Sequence, residues 1–441
     1  MQSTQMFAQL NDLFLDYVAV SLIFVLGIYF TLKSRFMQIR SLPHIIRDLV
    51  STSAPGSPQS SQGTSGKHGS AGAHPLKVFF ASVGGMIGIG NVVAVATAVQ
   101  VGGPGALFWV WMAALVGSLI KYSEIYLGHK YRVPNQKSGF DGGPMYFLRQ
   151  AFSSRWVPLL ICLLLCVYGT EVYQFSVIVD SVTSNWNVER MWVVPIFLGL
   201  VIYAGWGGVN RVGAVCAALL PIFSLLYVLM SGFIFFSHLG EIPALLEVIF
   251  RSAFTGHAAM GGFAGSTALI AIQQGLMRAA YSADIGIGYD SIIQSESRIK
   301  ESHRQARFAI LGVFLDSFMC TCSVLLILIT GVWKEAMPAS HLVQTALSLY
   351  FPYMDIFMPL FIIVLGYTTL IAYFCVGLKC SKMIHPRYGN QVYLVYSIAA
   401  LSTFSFYSQT HALMLMAGAQ TFILILNLTG IFRLRKEIYF E

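Results

Sequence analysis

The chain has 441 residues, of which 56% are hydrophobic and only 10% charged. A soluble domain carries roughly 25% charged residues, so a water-soluble enzyme or regulatory domain is excluded and a polytopic membrane protein is indicated. The formal net charge of +8 would suit nucleic acid, but the basic residues flank apolar segments, which is the signature of membrane topology.

A hydrocarbon core of ~30 Å needs about 20 apolar residues per helical crossing, and the sequence offers about eleven such spans. The first, 13–32, has no basic stretch ahead of it and reads as an uncleaved extra N-terminal helix rather than a signal peptide. Residues 51–74 are almost all Ser, Gly, Pro, Gln and Ala. They bury too little apolar surface to fold and read as a disordered cytoplasmic linker. The second span is 75–101 and the third 106–128. A polar stretch with Gly142, Gly143 and Pro144 leads to the fourth, 157–182. The fifth and sixth are 191–205 and 212–236. Residues 241–257 read as interfacial, and the seventh span, 258–277, precedes the longest charged stretch, 278–307. Spans eight to eleven are 308–333, 354–378, 392–407 and 413–432.

Eleven crossings put the termini on opposite sides. With the N-terminus outside and the C-terminus cytoplasmic, only Arg190, Arg251 and Lys334 of the 27 Lys and Arg fall outside, as the positive-inside rule requires. This places the chain as a multi-pass protein of the cell's inner (plasma) membrane. Six of the seven cysteines lie in apolar segments and none forms a CxxC pair, so they read as reduced packing residues.

Within the second span, residues 83–91 read VGGMIGIGN, with glycines at 84, 85, 88 and 90. Each glycine costs about 1 kcal/mol against alanine in a helix interior, so the helix is expected to break in mid-membrane. Bare backbone at that depth is tolerated only where it lines a cavity or is buried in protein. The seventh span carries a similar motif, GGFAGST, with Gly261, Gly262 and Gly265; both read GGxxG. Each is followed by an N-cap side chain, Asn91 in one and Ser266 or Thr267 in the other. Five spans separate the two starts, and the two motif-bearing spans run in opposite directions. The pattern predicts an all-α membrane protein with an inverted five-plus-five helix repeat, 75–237 and 258–433, each half opening on a discontinuous helix. Plain close packing of glycine faces is the competing reading. In such breaks, carbonyls at one half-helix end attract a cation and N–H groups at the other attract an anion. A zwitterion and a sodium ion fit side by side.

The third span opens with GGPGALFWVWMAALVG (102–117), and at this string the chain resembles the alanine or glycine:cation symporter family, which prefers Met where Val110 stands. The resemblance continues through GGPMYFL (142–148), GGVNRVGAVCAALLP (207–221), SAFTGHAAMGGFAG (252–265) and GVFLDSFMCTCSVLLILITG (312–331). It implies a LeuT-type architecture and sodium-driven uptake of small neutral amino acids. The family's helix-break motif ends in Gly-Asn, here Gly90 and Asn91, while its threonines are replaced by Met86 and Ile89. Its glutamine matches Gln174. A later threonine-bearing segment corresponds to Thr368, Thr369, Ala372 and Tyr373. Its RGLFSNEAGMGSAP becomes RAAYSADIGIGYDS (278–291), with Ala283 and Asp284 in place of Asn-Glu, beside the expected cytoplasmic gate.

Several polar residues need individual readings. Glu171 lies in mid-span, three residues from Gln174 and so on its face. A charge there costs roughly 2.5–3.5 kcal/mol, so it reads as a cation or substrate-amine contact, a proton carrier, or a hydrogen-bonded structural acid. Thr368 and Thr369 either supply oxygens to a sodium ion or bond back to their own helix. Asp316 reads as a network or gate residue, and Tyr373 as a pocket wall. Glu124 reads as a snorkelled ion pair with Lys121. No GxGxxG, HExxH or Walker spacing occurs, so neither enzyme chemistry nor a cofactor is expected.

The reading is therefore a sodium-coupled symporter of alanine, glycine or a similar small neutral amino acid. Substrate is assigned to Gly84, Gly85, Gly88, Gly90, Asn91, Gln174, Gly261, Gly262, Gly265, Ser266 and Tyr373. Sodium is assigned to Gly84, Gly88, Thr368 and Thr369, and gating or coupling to Glu171, Asp284 and Asp316. The alternatives are a proton-coupled or exchange permease for another metabolite, and a non-transporting membrane sensor.

Overall fold

The computed structural model describes residues 18, 20–45, 47, 72–135, 139–255, 268–407 and 410–440. The GGFAGST motif, with Gly261, Gly262, Gly265 and Ser266, lies outside the described residues, as does most of the Ser/Gly linker.

The described chain is mostly helical. The first helix, α1 (Val20–Lys33), precedes α2 (Pro75–Met86) and α3 (Val93–Gly102), which are bent by 54° at the glycine-rich stretch. Next come α4 (Ala106–Lys130), a short β-hairpin (β1, Val133–Pro134; β2, Phe140–Asp141) and α5 (Pro144–Phe152). The expected fourth span is two helices, α6 (Trp156–Tyr168) and α7 (Val172–Trp186). After α8 (Arg190–Gly205), α9 (Gly208–Ser237) and α10 (Ile242–Thr255) come α11 (Ala268–Ser282) and α12 (Tyr289–Gln294). The chain finishes with α13 (Ser302–Ile329), α14 (Ala339–Ser348), α15 (Met354–Ile384), α16 (Gly389–Phe406) and α17 (Thr410–Arg433).

Six helical stretches among the described residues are long and apolar enough to cross a membrane, and the bent α2–α3 pair makes a seventh; α1 and α8 are shorter apolar helices. Burial separates inner from outer helices. The most apolar stretch of α15 is 83% buried, whereas that of α9 is 28% buried. On α8 and α9, Trp192, Ile196, Ile222, Leu229, Phe233 and Phe236 are exposed. Apolar surface on this scale suits lipid rather than water, and the protein is a multi-pass membrane protein.

Around the central helices, α13 packs along α4, α9 along α2, and α6 and α7 along α15. The α2–α3 and α11–α12 units lie inside this frame, against α4, α13 and α15. All seven cysteines are free and buried. The bent pair runs between the two ends of the bundle, the Pro75 end and the Gly102 end.

Candidate functional site

The first break falls later than the glycine count suggests. Gly84 and Gly85 remain inside α2, and the helix ends at Met86. Gly88 is extended, a single 3-10 turn covers Ile89–Asn91, and α3 begins at Val93. The two helical glycines serve close approach. A Cβ on Gly84 would lie 2.5 Å from Cys216 Sγ, and one on Gly85 2.0 Å from the Tyr289 hydroxyl. Asn91 is not the N-cap of α3, a role that falls to Val92 without a side-chain bond. Its Oδ1 accepts the Gly88 N–H at 2.9 Å, and its amide donates to Asp316 Oδ1 at 2.6 Å. Gln174 Oε1 accepts the Ile89 N–H at 3.1 Å.

A second break lies where the sequence suggested a charged cytoplasmic stretch. Between α11 and α12, Asp284, Gly286 and Gly288 have φ of 52°, 79° and 96°, and Ala283, Asp284, Ile285, Ile287 and Tyr289 are buried. Left-handed backbone is open to glycine without strain but uncommon for other residues. Arg278 sits one turn before Ser282, within α11, and lines a cavity with Thr97 and Tyr173. The chain does not leave the bundle after the seventh span because glycines interrupt the helix and do not end it.

A third interruption separates α6 from α7. Glu171, expected in mid-helix, has φ 50° and ψ 45° and precedes the first turn of α7. Such strain at a buried polar residue is concentrated at functional sites. The first and third interruptions meet beside the end of α11, which leads into the second. Gly85, Met86, Gly88 and Gly90 from the first, Tyr168, Glu171 and Gln174 from the third, Tyr281 and Ser282 from α11, and Tyr373 from α15 surround one cavity of about 10 Å³. That is room for about one water. The Tyr281 hydroxyl donates to Glu171 at 3.3 Å, and no Lys or Arg among the described residues pairs with Glu171.

Asp316 ties two breaks together, since the Ser282 hydroxyl donates to the Oδ1 that also takes the Asn91 amide, at 2.7 Å. Thr369 shares its hydroxyl between Gly84 O at 3.1 Å and Leu365 O at 3.0 Å. Thr368 is turned onto its own helix, toward Val364 O and Leu365 O. Toward the Pro75 end, Tyr373 stacks on Tyr289 with ring centroids 4.0 Å apart, and its hydroxyl donates to Asp284 at 3.1 Å. Lys121 is not snorkelled. It is fully buried, 2.9 Å from Asp284 Oδ2 and 3.7 Å from Asp290 Oδ2. Glu124 instead accepts the Asn427 amide at 3.3 Å.

The Pro75 end is clamped. Arg132 donates to the carbonyls of Ser295, Ser297 and Ile299, and Lys379 pairs with Glu296 at 2.5 Å and Asp141 at 3.2 Å. Ala73 and Ser297 form an isolated bridge across the same gap. Toward the Gly102 end two cavities of about 370 and 300 Å³ open, and the larger shares Tyr168 and Tyr281 with the central cavity.

Of the residues singled out from sequence, the cavity gathers Gly85, Gly88, Gly90, Glu171, Gln174 and Tyr373, with Gly84, Asn91, Asp284, Asp316 and Thr369 one contact away. Thr368 is not brought to it. Tyr168, Tyr281, Ser282 and Tyr289 escape sequence reasoning. One signal pointed to the last three, which flank the second break: IGIG at 87–90 recurs at 285–288.

A broken pair of helices crossing near a small polar cavity belongs to the LeuT-type transporter fold. The chain superposes on MhsT in complex with L-phenylalanine with a TM-score of 0.57 at 16% identity, covering 82% of this chain and 89% of that one. A manganese transporter of Eremococcus coleocola gives a TM-score of 0.51 at 14% identity, over 80% and 76%. At these identities the likeness is one of fold. Residues 1–440 match the sodium:alanine symporter family, and the chain belongs to it. An uncharacterized transporter of Haemophilus influenzae is 32% identical over 70% of this chain, and the sodium/alanine symporter AgcS of Methanococcus maripaludis is 27% identical over 84% of this chain and 81% of its own length. The probable sodium/glutamine symporter GlnT of Bacillus subtilis is 26% identical over 97% and 88%. The match spans 66% and 65% of two Haemophilus relatives, just under two thirds of their length. The family and these relatives are transporters, not enzymes.

Proposed function

We propose that this protein is a sodium-coupled symporter of alanine, glycine or a similarly small neutral amino acid. The observation that carries the reading is the convergence of two broken helices on one small cavity, joined through Asp316, in a chain of this family. The substrate zwitterion is assigned to the cavity walled by Gly85, Gly88, Gly90, Gln174 and Tyr373, with Asn91 fixing the backbone that meets it. Sodium, a hard cation that takes oxygen ligands, is assigned to the oxygens around Gly84, Gly88 and Thr369, with Thr368 adjacent. Glu171, Asp284 and Asp316 are assigned to coupling.

In this reading the Pro75 end is cytoplasmic, the N-terminus is outside and the chain crosses the plasma membrane eleven times. The halves 75–237 and 258–433 form an inverted repeat whose second discontinuity is 283–288. The clamp at Arg132 and Lys379 with the cavities at the Gly102 end then describes an outward-facing, nearly closed arrangement, and rocking of the halves alternates access. Proteoliposomes given labelled alanine test it. Uptake driven by an inward sodium gradient and absent in choline supports the reading, and uptake indifferent to sodium refutes it. A proton-coupled permease is the second reading, favoured by the buried Glu171 in the cavity. It requires uptake to follow a pH gradient without sodium.

A further inference from the structure

A second buried charged cluster lies beyond the Tyr289–Tyr373 stack. Lys121, Glu124, Asp284 and Asp290 are each at most 1% exposed. One ammonium thus faces three carboxylates in the protein interior. An uncompensated buried charge costs several kcal/mol, so an excess carboxylate there must be neutral or be balanced by a further cation. Lys121 is committed to Asp284, through its carboxylate at 2.9 Å and its carbonyl at 2.7 Å, and then to Asp290 at 3.7 Å. Asp290 also receives the Gln294 amide at 3.3 Å. Glu124 has the weakest support as an anion. Its Oε2 takes one long amide contact from Asn427, and its Oε1, like Asp290 Oδ1, has no donor at all. No grouping of three or more acidic, His or Cys side chains among the described residues is arranged to hold a metal ion.

The geometry points to Glu124 as a proton-binding site, a neutral carboxylic acid in this closed arrangement. The charged groups facing it are Lys121 from its own helix and Asp284 and Asp290 from the second break and α12. From α17 it meets the neutral Asn427, which also holds the break through Gly286 O at 2.8 Å. His129, farther along α4, is engaged with Ser302 and Ile299. Because Asp284 and Asp290 belong to the segment that must move for the Pro75 end to open, opening changes what surrounds Glu124. The proton then leaves to water as the carboxylate forms. Proton release is thereby linked to the gate.

Two measurements on the whole chain test this. Infrared spectra of purified protein read the proton directly and do not depend on the transport reading. A protonated-carboxyl band present in the wild type, lost in E124Q and kept in D290N, supports the assignment. Its absence from the wild type, its survival in E124Q or its loss in D290N overturns it. Should E124Q fail to fold, E124D decides: a carboxyl band moved in frequency supports the assignment, and an unmoved band, as from Glu171, overturns it. The cycle link rests on the symport reading and is tested by alanine uptake against pH. Occupancy of one proton site changes about tenfold per pH unit above its midpoint. Wild-type uptake is therefore expected to vary with pH and E124Q uptake to be flat. An E124Q profile that follows the wild type overturns the link.

Discussion

Asn91 and Ser282 share one oxygen: Asp316 Oδ1 accepts the first at 2.6 Å and the second at 2.7 Å. Asn91 belongs to the first broken helix, and Ser282 ends the segment leading into the second break. A single carboxylate on α13 therefore holds the relative position of both discontinuities, and with it the shape of the cavity between them.

Removing that restraint should be costly. A hydrogen bond to a charged group is worth about 1.5–3 kcal/mol, and Asn91 also closes the turn on Gly88. Asn91→Ala and Asp316→Ala are each expected to lower alanine affinity roughly ten- to hundredfold. The double substitution should cost much less than the sum of the two, because partners in one network couple. A binding titration of the four proteins measures this. Additive losses would mean that the shared oxygen does not join the breaks.

The glycines of the first break separate by space. A Cβ on Gly85 would fall 2.0 Å from the Tyr289 hydroxyl, whereas one on Gly90 would meet nothing closer than 3.7 Å. Overpacking a filled interior costs about 1–3 kcal/mol. Gly85→Ala is expected to lower thermal stability and abolish uptake, while Gly90→Ala keeps stability near the wild type. Melting of the two purified variants compares them directly. Equal stabilities would show that α2 yields where the packing says it cannot.

The break at 87–92 was legible because four glycines within one apolar run have no other economical use in a membrane helix. The break at 283–288 was hidden by charge. Arg278, Asp284 and Asp290 within one short stretch read as a water-facing loop, yet Asp284 and Asp290 are buried against Lys121, which itself reads as a snorkelling residue. Pairing distant charges across the fold is invisible to local hydropathy. Glu171 reads as a mid-span acid, but nothing in the sequence signals its left-handed backbone, since Gly169 and Thr170 look like an ordinary helix face. The asymmetry between Thr368 and Thr369 depends on which side of α15 meets α2, and adjacent identical residues carry no sign of it.

At the Pro75 end, Lys379 pairs with Glu296 and Asp141. The pair is partly exposed, so its worth is about 1 kcal/mol, near a fivefold change in the closed population. Cys375 lines the adjacent pocket with Lys379 and Glu296 and is buried in the closed arrangement. Lys379→Gln is expected to speed labelling of Cys375 by a water-soluble thiol reagent roughly fivefold, measured against a Cys375→Ser control. Unchanged labelling would remove these ion pairs from the closure.

Thr369 and Thr368 give the sharpest local contrast. The Thr369 hydroxyl reaches across to Gly84 O at 3.1 Å, so its oxygen lies between α15 and the carbonyl end of α2, where a cation is drawn by the half-helix dipole. Thr368 spends its hydroxyl on Val364 and Leu365, a back-bond that only modestly affects a helix. Losing one oxygen contact removes about 1–1.5 kcal/mol. Thr369→Ala is therefore expected to raise the sodium concentration for half-maximal alanine uptake roughly tenfold with the protein still folded. Thr368→Ala should leave it within about twofold, and Thr369→Ser should restore the wild-type value because it keeps the oxygen. Sodium-activation curves for the three variants provide the measurement. Equal shifts for Thr368→Ala and Thr369→Ala would move the ion away from the α2 end, toward the interior of α15.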